Sequence, residues 1–144
     1  MKLLIFVLAG SIFISDYQKK SKLELLSHKW RQVGIKFHDK RYNPIPQTRA
    51  DVYTINNDGT FQVLGPNQRL YMGQWKFNGD STKLAFLRTD VDGLSLTDKT
   101  IDEVNPTDSI IKLTGDSFVY ASVAYNADKR VWGHHYLYFV RLKN

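Results

Sequence analysis

The chain has 144 residues, a formal net charge of +6, 13% aromatic residues and no cysteine. That length supports one domain with one sizeable core, and the aromatic content excludes a disordered chain. Without cysteine there is no disulfide, no thiolate catalysis and no Cys-bound metal. The bases are scattered rather than clustered, so nucleic acid is not expected as a partner.

Lys2 precedes an apolar run, Leu3–Ile14, and the polar stretch Asp16–Lys22 follows it. A short basic start, an apolar segment and an abrupt polar shift predict an export segment over 1–15 and a lysine-rich tether over 16–22. The run is too short for a stable membrane span. Leu8-Ala9-Gly10-Ser11 has the shape of a lipoprotein signal box, with serine where the acylated cysteine would stand, so no lipid anchor is expected. The mature protein is expected to be periplasmic or extracellular.

Leu23-Glu24-Leu25-Leu26 fits one helical turn, with Leu23 and Leu26 on one side. Ser27–Phe37 is the first strand candidate. Val33, Ile35 and Phe37 keep one phase and Trp30 the other, so either Trp30 plugs one end of the core or a bulge near Gly34 resets the phase. His38–Arg49 is a long loop whose Pro44 and Pro46 exclude a central strand. Its length makes it the expected rim of a barrel mouth, with Arg41 and Tyr42 as its candidate contact residues. Asp51–Phe77 then carries three strands. Tyr53 and Ile55, Phe61 and Val63, and Tyr71, Gly73, Trp75 and Phe77 alternate with their neighbours, which gives each strand one inward face. Asn56-Asn57-Asp58-Gly59 and Gly65-Pro66-Asn67 supply the turns, and Asn78-Gly79-Asp80 ends the third strand. Leu84, Phe86 and Arg88 share one face of the next strand. Thr89–Leu96 is expected as a loop and Thr100–Val104 as a short polar strand. Strands follow at Ser109–Thr114, Ser117–Tyr125 and Val131–Leu142, with a two-residue hairpin turn at Gly115-Asp116. Turn signals recur about every ten residues, the spacing of an antiparallel barrel or sandwich.

Motifs for chemistry are absent. His134 and His135 are strand neighbours facing opposite ways, and His28 and His38 stand near opposite ends of the first strand, so no metal site is expected. Asp90-Val91-Asp92-Gly93 has part of a calcium loop, but Ile101 stands where the bidentate Glu belongs. No nucleophile elbow, phosphate loop or dinucleotide fingerprint occurs, and Asp102 and Glu103 face two ways on a strand. Neither catalysis nor a cofactor is expected. The aromatic set remains, with two readings. It fills a solid core, or it lines an apolar cavity in which Gln62, Gln74 or Arg88 orients a ligand. On the second reading Tyr53, Phe61, Tyr71, Trp75, Phe86, Arg88 and Tyr120 are the candidate ligand contacts.

Three segments in order resemble the bacterial lipocalin-like domain family: Leu25-Leu26-Ser27-His28-Lys29-Trp30, Ile55-Asn56-Asn57-Asp58-Gly59-Thr60-Phe61 and Gly73-Gln74-Trp75-Lys76-Phe77. The closing strand Tyr136–Arg141 fits as well. The family shows a Trp strand, a "DGT" hairpin and a "GxW" strand in this sequence. The chain departs from the first-strand Gly-x-Trp of lipocalins proper, with His28 in the glycine's place. The resemblance covers about residues 23–144. It implies an all-β, up-and-down antiparallel barrel of about eight strands. It also implies a structural pair at the barrel floor, Trp30 with Arg141. The expected function is non-enzymatic binding of a small apolar or amphipathic molecule inside the barrel. The alternative is an envelope interaction module with a filled core that binds a protein or glycan through its loops and surface.

Overall fold

The computed structural model describes residues 22–38, 40–126 and 131–143. The export segment and residues 16–21 of the tether lie outside them. Lys22 opens the helical turn 22–26, as the leucine spacing predicts. Among the described residues there are ten strands: β1 Lys29–Phe37, β2 Asn43–Pro44, β3 Val52–Ile55, β4 Thr60–Leu64, β5 Leu70–Phe77, β6 Lys83–Val91, β7 Leu94–Ser95, β8 Asp108–Leu113, β9 Ser117–Asn126 and β10 Val131–Arg141. Strands β2 and β7 are two-residue additions to β1 and β6. The other eight follow one another in chain order, each antiparallel to the next, and β10 pairs back onto β1. That last ladder closes the sheet into a barrel and leaves those eight strands without a free edge.

The period-two pattern decides which side chains enter. Tyr53 and Ile55 pair with Val63 and Phe61, and all four are buried. In β1 the phase conflict is resolved by a bulge. The register against β10 shifts between Gln32 and Gly34, which leaves Val33 as the extra residue. Trp30 and Gln32 therefore enter the barrel ahead of the bulge, and Ile35 and Phe37, opposite Leu137 and His135, enter after it. The Val33 carbonyl accepts from the Ile45 N–H and the Tyr42 hydroxyl, both at 2.9 Å.

Two expected segments differ in the structure. Thr89–Leu96 is no loop. Strand β6 runs to Val91, and Asp92 and Gly93 turn it into β7 with φ of 52° and 79°. Two central residues at positive φ match the twist of a tight hairpin, which Asp-Gly favours. Thr100–Val104 is no strand. The Thr100 N–H donates to Glu103 Oε2 at 2.6 Å, a capping box that turns Ile101–Glu103 into a 3-10 helix.

One end of the barrel is plugged. The helical turn lays Leu26 over it, and Trp30 Nε1–H donates to the Leu26 carbonyl at 2.8 Å. Both residues are 0% exposed. Phe118 and Phe139 stack beneath at 5.4 Å between ring centroids. Two hairpins at this end, 56–60 and 78–82, are built alike. Asp58 and Asp80 each accept from the N–H (2.9 and 3.0 Å) and the hydroxyl (2.6 Å in both) of the threonine two residues on. The residue between sits at positive φ, Gly59 at 85° and Ser81 at 56°. The bonds from the threonines hold both carboxyls below the usual carboxylate range.

Candidate functional site

Inward-facing side chains lose burial along the barrel axis. At the floor Trp30, Phe61, Phe118 and Phe139 are at most 2% exposed. Toward the other end Phe37, Tyr71, Phe86 and Leu137 face inward yet are only half-buried, and Arg88 is inward and exposed. An inward arginine reaches solvent only where the barrel is open. The floor end is sealed, and solvent reaches the inward side of the sheet at Arg88 toward the other end.

Arg88 belongs to the inward phase of Leu84 and Phe86 on β6, opposite Gly73 of β5. Gly73 must be glycine, since a Cβ there would run into the Leu87 carbonyl and the Phe61 ring. This is the physical content of the Gly-x-Trp spacing, because Trp75 lies two residues on and also points inward. A bulge follows Arg88. Thr89 is extra against β5, so the strand bends as it leaves the arginine. The guanidinium lies over the Tyr71 ring, 4.6 Å from its centroid, a cation–π contact at the barrel wall.

Tyr53 and Tyr120 lie within the field of Arg88. Burial pushes both phenols up, Tyr120 well above its ordinary value, and outweighs the Arg88 charge that draws both down, so both stay protonated at neutral pH. Two carboxyls flank this network. Burial raises Asp51, against the pull of Arg88, and burial raises Asp108, against a hydrogen bond with Ser122. The apolar surround is a herringbone of rings: Phe61–Phe86 at 5.0 Å, Tyr53–Phe139 at 5.1 Å and Phe86–Tyr120 at 5.9 Å.

All seven candidate contact residues face the interior, in two groups. Phe61 and Trp75 belong to the packed floor, and Trp75 Nε1–H donates to the Asn56 carbonyl at 2.9 Å. Tyr53, Tyr71, Phe86, Arg88 and Tyr120 meet where packing gives way to the mouth. Gln62 and Gln74 lie on the outer wall, out of phase with Phe61 and Trp75; Gln74 Oε1 there accepts from the Ile101 N–H at 3.3 Å. They do not orient an interior ligand. Inward polar residues that the sequence reading passed over are Gln32, Asp108 and Ser122. The phase of Phe118 and Tyr120 extends to Ser122 and was the available signal.

Trp30 and Arg141 stand directly opposite each other in the β1–β10 ladder. Arg141 Nη1 donates to the Gly115 carbonyl at 3.4 Å, tying the last strand to the 114–116 turn. His28, beside the same end, is held below its ordinary value by burial and by Arg141. Tyr42 packs on the outer wall, covering Gly34 and meeting the Tyr138 ring edge-on at 5.0 Å. Arg41 is exposed. His135 faces inward, 4.4 Å from the Phe37 ring, with its pKa lowered by burial, and His134 is exposed on the outer wall. Among the described residues no three His, Asp or Glu side chains gather as a metal site, and no helix is long and apolar enough to cross a membrane.

No model of a known protein family matches the chain, and no curated protein matches it.

Proposed function

We propose that this barrel is a non-enzymatic, lipocalin-like binding protein, exported to the periplasm or beyond, whose open half holds a small apolar or amphipathic molecule. The observation that carries the reading is the burial gradient. Inward aromatic surface at Phe37, Tyr71 and Phe86 remains partly exposed while Trp30, Phe61, Phe118 and Phe139 at the floor are buried. Covering such surface gains about 25 cal/mol per Å², and a concave apolar wall with a few polar groups is the usual form of a small-molecule site. Titration with the neutral fluorophore N-phenyl-1-naphthylamine tests it. Saturable enhancement is expected, lost in Leu137→Trp, which places a larger ring in the mouth. Absence of binding, or binding indifferent to that substitution, overturns the reading. Export rests on the Leu3–Ile14 pattern; fractionation that finds a cytoplasmic protein retaining Met1 through Ile14 overturns that part.

One observation favours the second reading, an envelope module that binds protein or glycan. Trp132 on the outer wall is 72% exposed, with Val123 of the neighbouring strand 54% exposed. Glycan binding abolished by Trp132→Ala, with no fluorophore binding, would select it.

A further inference from the structure

A recess of about 480 Å³ is cut into the sealed end, between the start of β1, the end of β3 and the C-terminal end of β10. Its walls carry His28, Lys29, Arg141 and Lys143 and no carboxylate. Lys143 meets Asp116 of the neighbouring turn at 3.8 Å, but the two side chains are 82% and 79% exposed, and an ion pair in water holds its partners weakly. Burial and the Arg141 charge hold His28 below its ordinary value, so at neutral pH the charge of the recess is that of Lys29, Arg141 and Lys143. The recess opens onto an apolar trough of about 280 Å³ on the outer wall, and Lys29, Thr54 and Leu142 line both. In the trough Val52, Leu64 and Leu70 stand opposite one another across β3, β4 and β5, out of phase with the inward Tyr53, Val63 and Tyr71. Leu64 is 41% exposed. Arg31 flanks Val52 on β1. The chain also enters at this end: Lys22 Nζ–H donates to the Ser81 carbonyl in the 78–82 turn, and Lys19 and Lys20 precede it in the sequence.

From this we propose that the recess and the trough together dock the barrel on an anionic bilayer surface, with lipid phosphates between Lys29, Arg141 and Lys143 and with Leu64, Leu70 and Leu142 against the acyl boundary. The docking surface lies outside the barrel and is independent of what the interior holds. A bilayer interface presents phosphate beside hydrocarbon. Binding there grows with the apolar area buried and with the attraction of basic side chains to anionic lipid. The surface offers both, side by side and sharing three residues. A soluble polyanion matches the cations and leaves the apolar trough in water. A purely apolar partner covers the trough and strips water from Lys29 without giving it a counter-charge.

Co-sedimentation of the full chain with dioleoyl-phosphatidylcholine vesicles, pure or with about one-third dioleoyl-phosphatidylglycerol, tests it. Tighter binding to the mixed vesicles is expected, weakened as salt rises from about 0.05 to about 0.5 M. Lys29→Gln and Lys143→Gln are each expected to weaken it about fivefold, the worth of one basic side chain near an anionic surface. Leu64→Asp should weaken it at least as much, since it puts a carboxylate into the trough. Lys99→Gln, which removes the same charge from the β7–β8 connection, should leave it unchanged. Every variant carries the same Leu3–Ile14 run, so any contribution of that run is common to all. The urea midpoint of each variant checks that it is folded. Equal binding to the two vesicles, a preference for phosphatidylglycerol that survives both lysine substitutions, or an equal loss in Lys99→Gln overturns the proposal. So does a dimer in sedimentation velocity that Leu64→Asp dissolves, without vesicle binding, which assigns the trough to a second copy of the chain.

Discussion

Ser81→Gly should stabilise the barrel. Ser81 sits at φ 56°, in the left-handed region, where a Cβ costs roughly 1–2 kcal/mol. Its hydroxyl is buried and has no hydrogen-bond partner, a loss of about 1–3 kcal/mol relative to water. Glycine removes both costs. Against this stand about 0.5–1 kcal/mol of extra unfolded-chain entropy and the void of a methylene and a hydroxyl, at least about 0.8 kcal/mol. The turn's other bonds involve atoms that glycine keeps: Lys22 Nζ–H donates to the residue's carbonyl at 2.8 Å and its N–H donates to Asn78 O at 3.1 Å. The expected net gain is about 1–2 kcal/mol, or roughly 3–8 °C in Tm. Urea unfolding measures it, with a midpoint rise of about 0.5–1 M at an ordinary slope. Ser81→Ala isolates the hydroxyl, because it keeps the strained Cβ. The matching turn gives the reverse experiment. Gly59 holds the equivalent place at φ 85°, and a Cβ there meets only the Trp75 carbonyl at an ordinary 3.5 Å, so Gly59→Ser should cost about the strain alone, roughly 1–2 kcal/mol. A destabilised Ser81→Gly would refute the reasoning and show that the hydroxyl contributes to the turn.

Gly73→Ala should cost about 3 kcal/mol, since the new methyl meets a backbone carbonyl and a fixed ring; a change under about 1 kcal/mol in chemical unfolding would contradict the register described. Trp30→Phe removes one of two donors to the Leu26 carbonyl, which keeps the His28 N–H at 2.8 Å, and leaves a void beside Phe118, so it should cost about 1–3 kcal/mol, read from the same unfolding curves. Asp108→Asn tests the buried carboxyl. Its folded pKa is raised, so falling pH through that raised value stabilises the wild type until the ordinary value near 3.9 is passed. The asparagine variant should therefore be the more stable at pH 7, with the gap shrinking as the pH drops toward 4; a gap that widens in acid would contradict the assignment.

The strands were legible wherever one face meets one environment. Tyr53 and Ile55, Phe61 and Val63, and Leu84 and Phe86 alternate because each faces a single core. The phase conflict in β1 was visible in Trp30 against Val33, but the bulge that resolves it needed the β10 register. The Thr100–Glu103 box was present in the sequence, yet Ile101 and Val104 gave the stretch a strand's appearance. Asp92-Gly93 carried a hairpin signal hidden among acidic residues. The Arg88, Tyr53 and Tyr120 network was only half legible. Each residue stood on a predicted inward face, but their meeting depends on barrel closure. Likewise, the difference between Phe61 in the floor and Phe86 at the mouth depends on distance along the axis, which no alternation pattern encodes.

The β1–β10 ladder has a consequence for the order of events in folding. Seven paired residues join the first strand to the last, so the barrel cannot close until almost the whole chain is available. Contacts of such sequence separation are slow to form, because loop entropy is lost before the pairing repays it. During synthesis β1 waits for β10, and Trp30 has no Phe118 or Phe139 to pack against until residues near the C-terminus have emerged. A nascent chain of this topology stays open while it is being made. A polypeptide that crosses a membrane unfolded, and collapses only on the far side, requires that same delay.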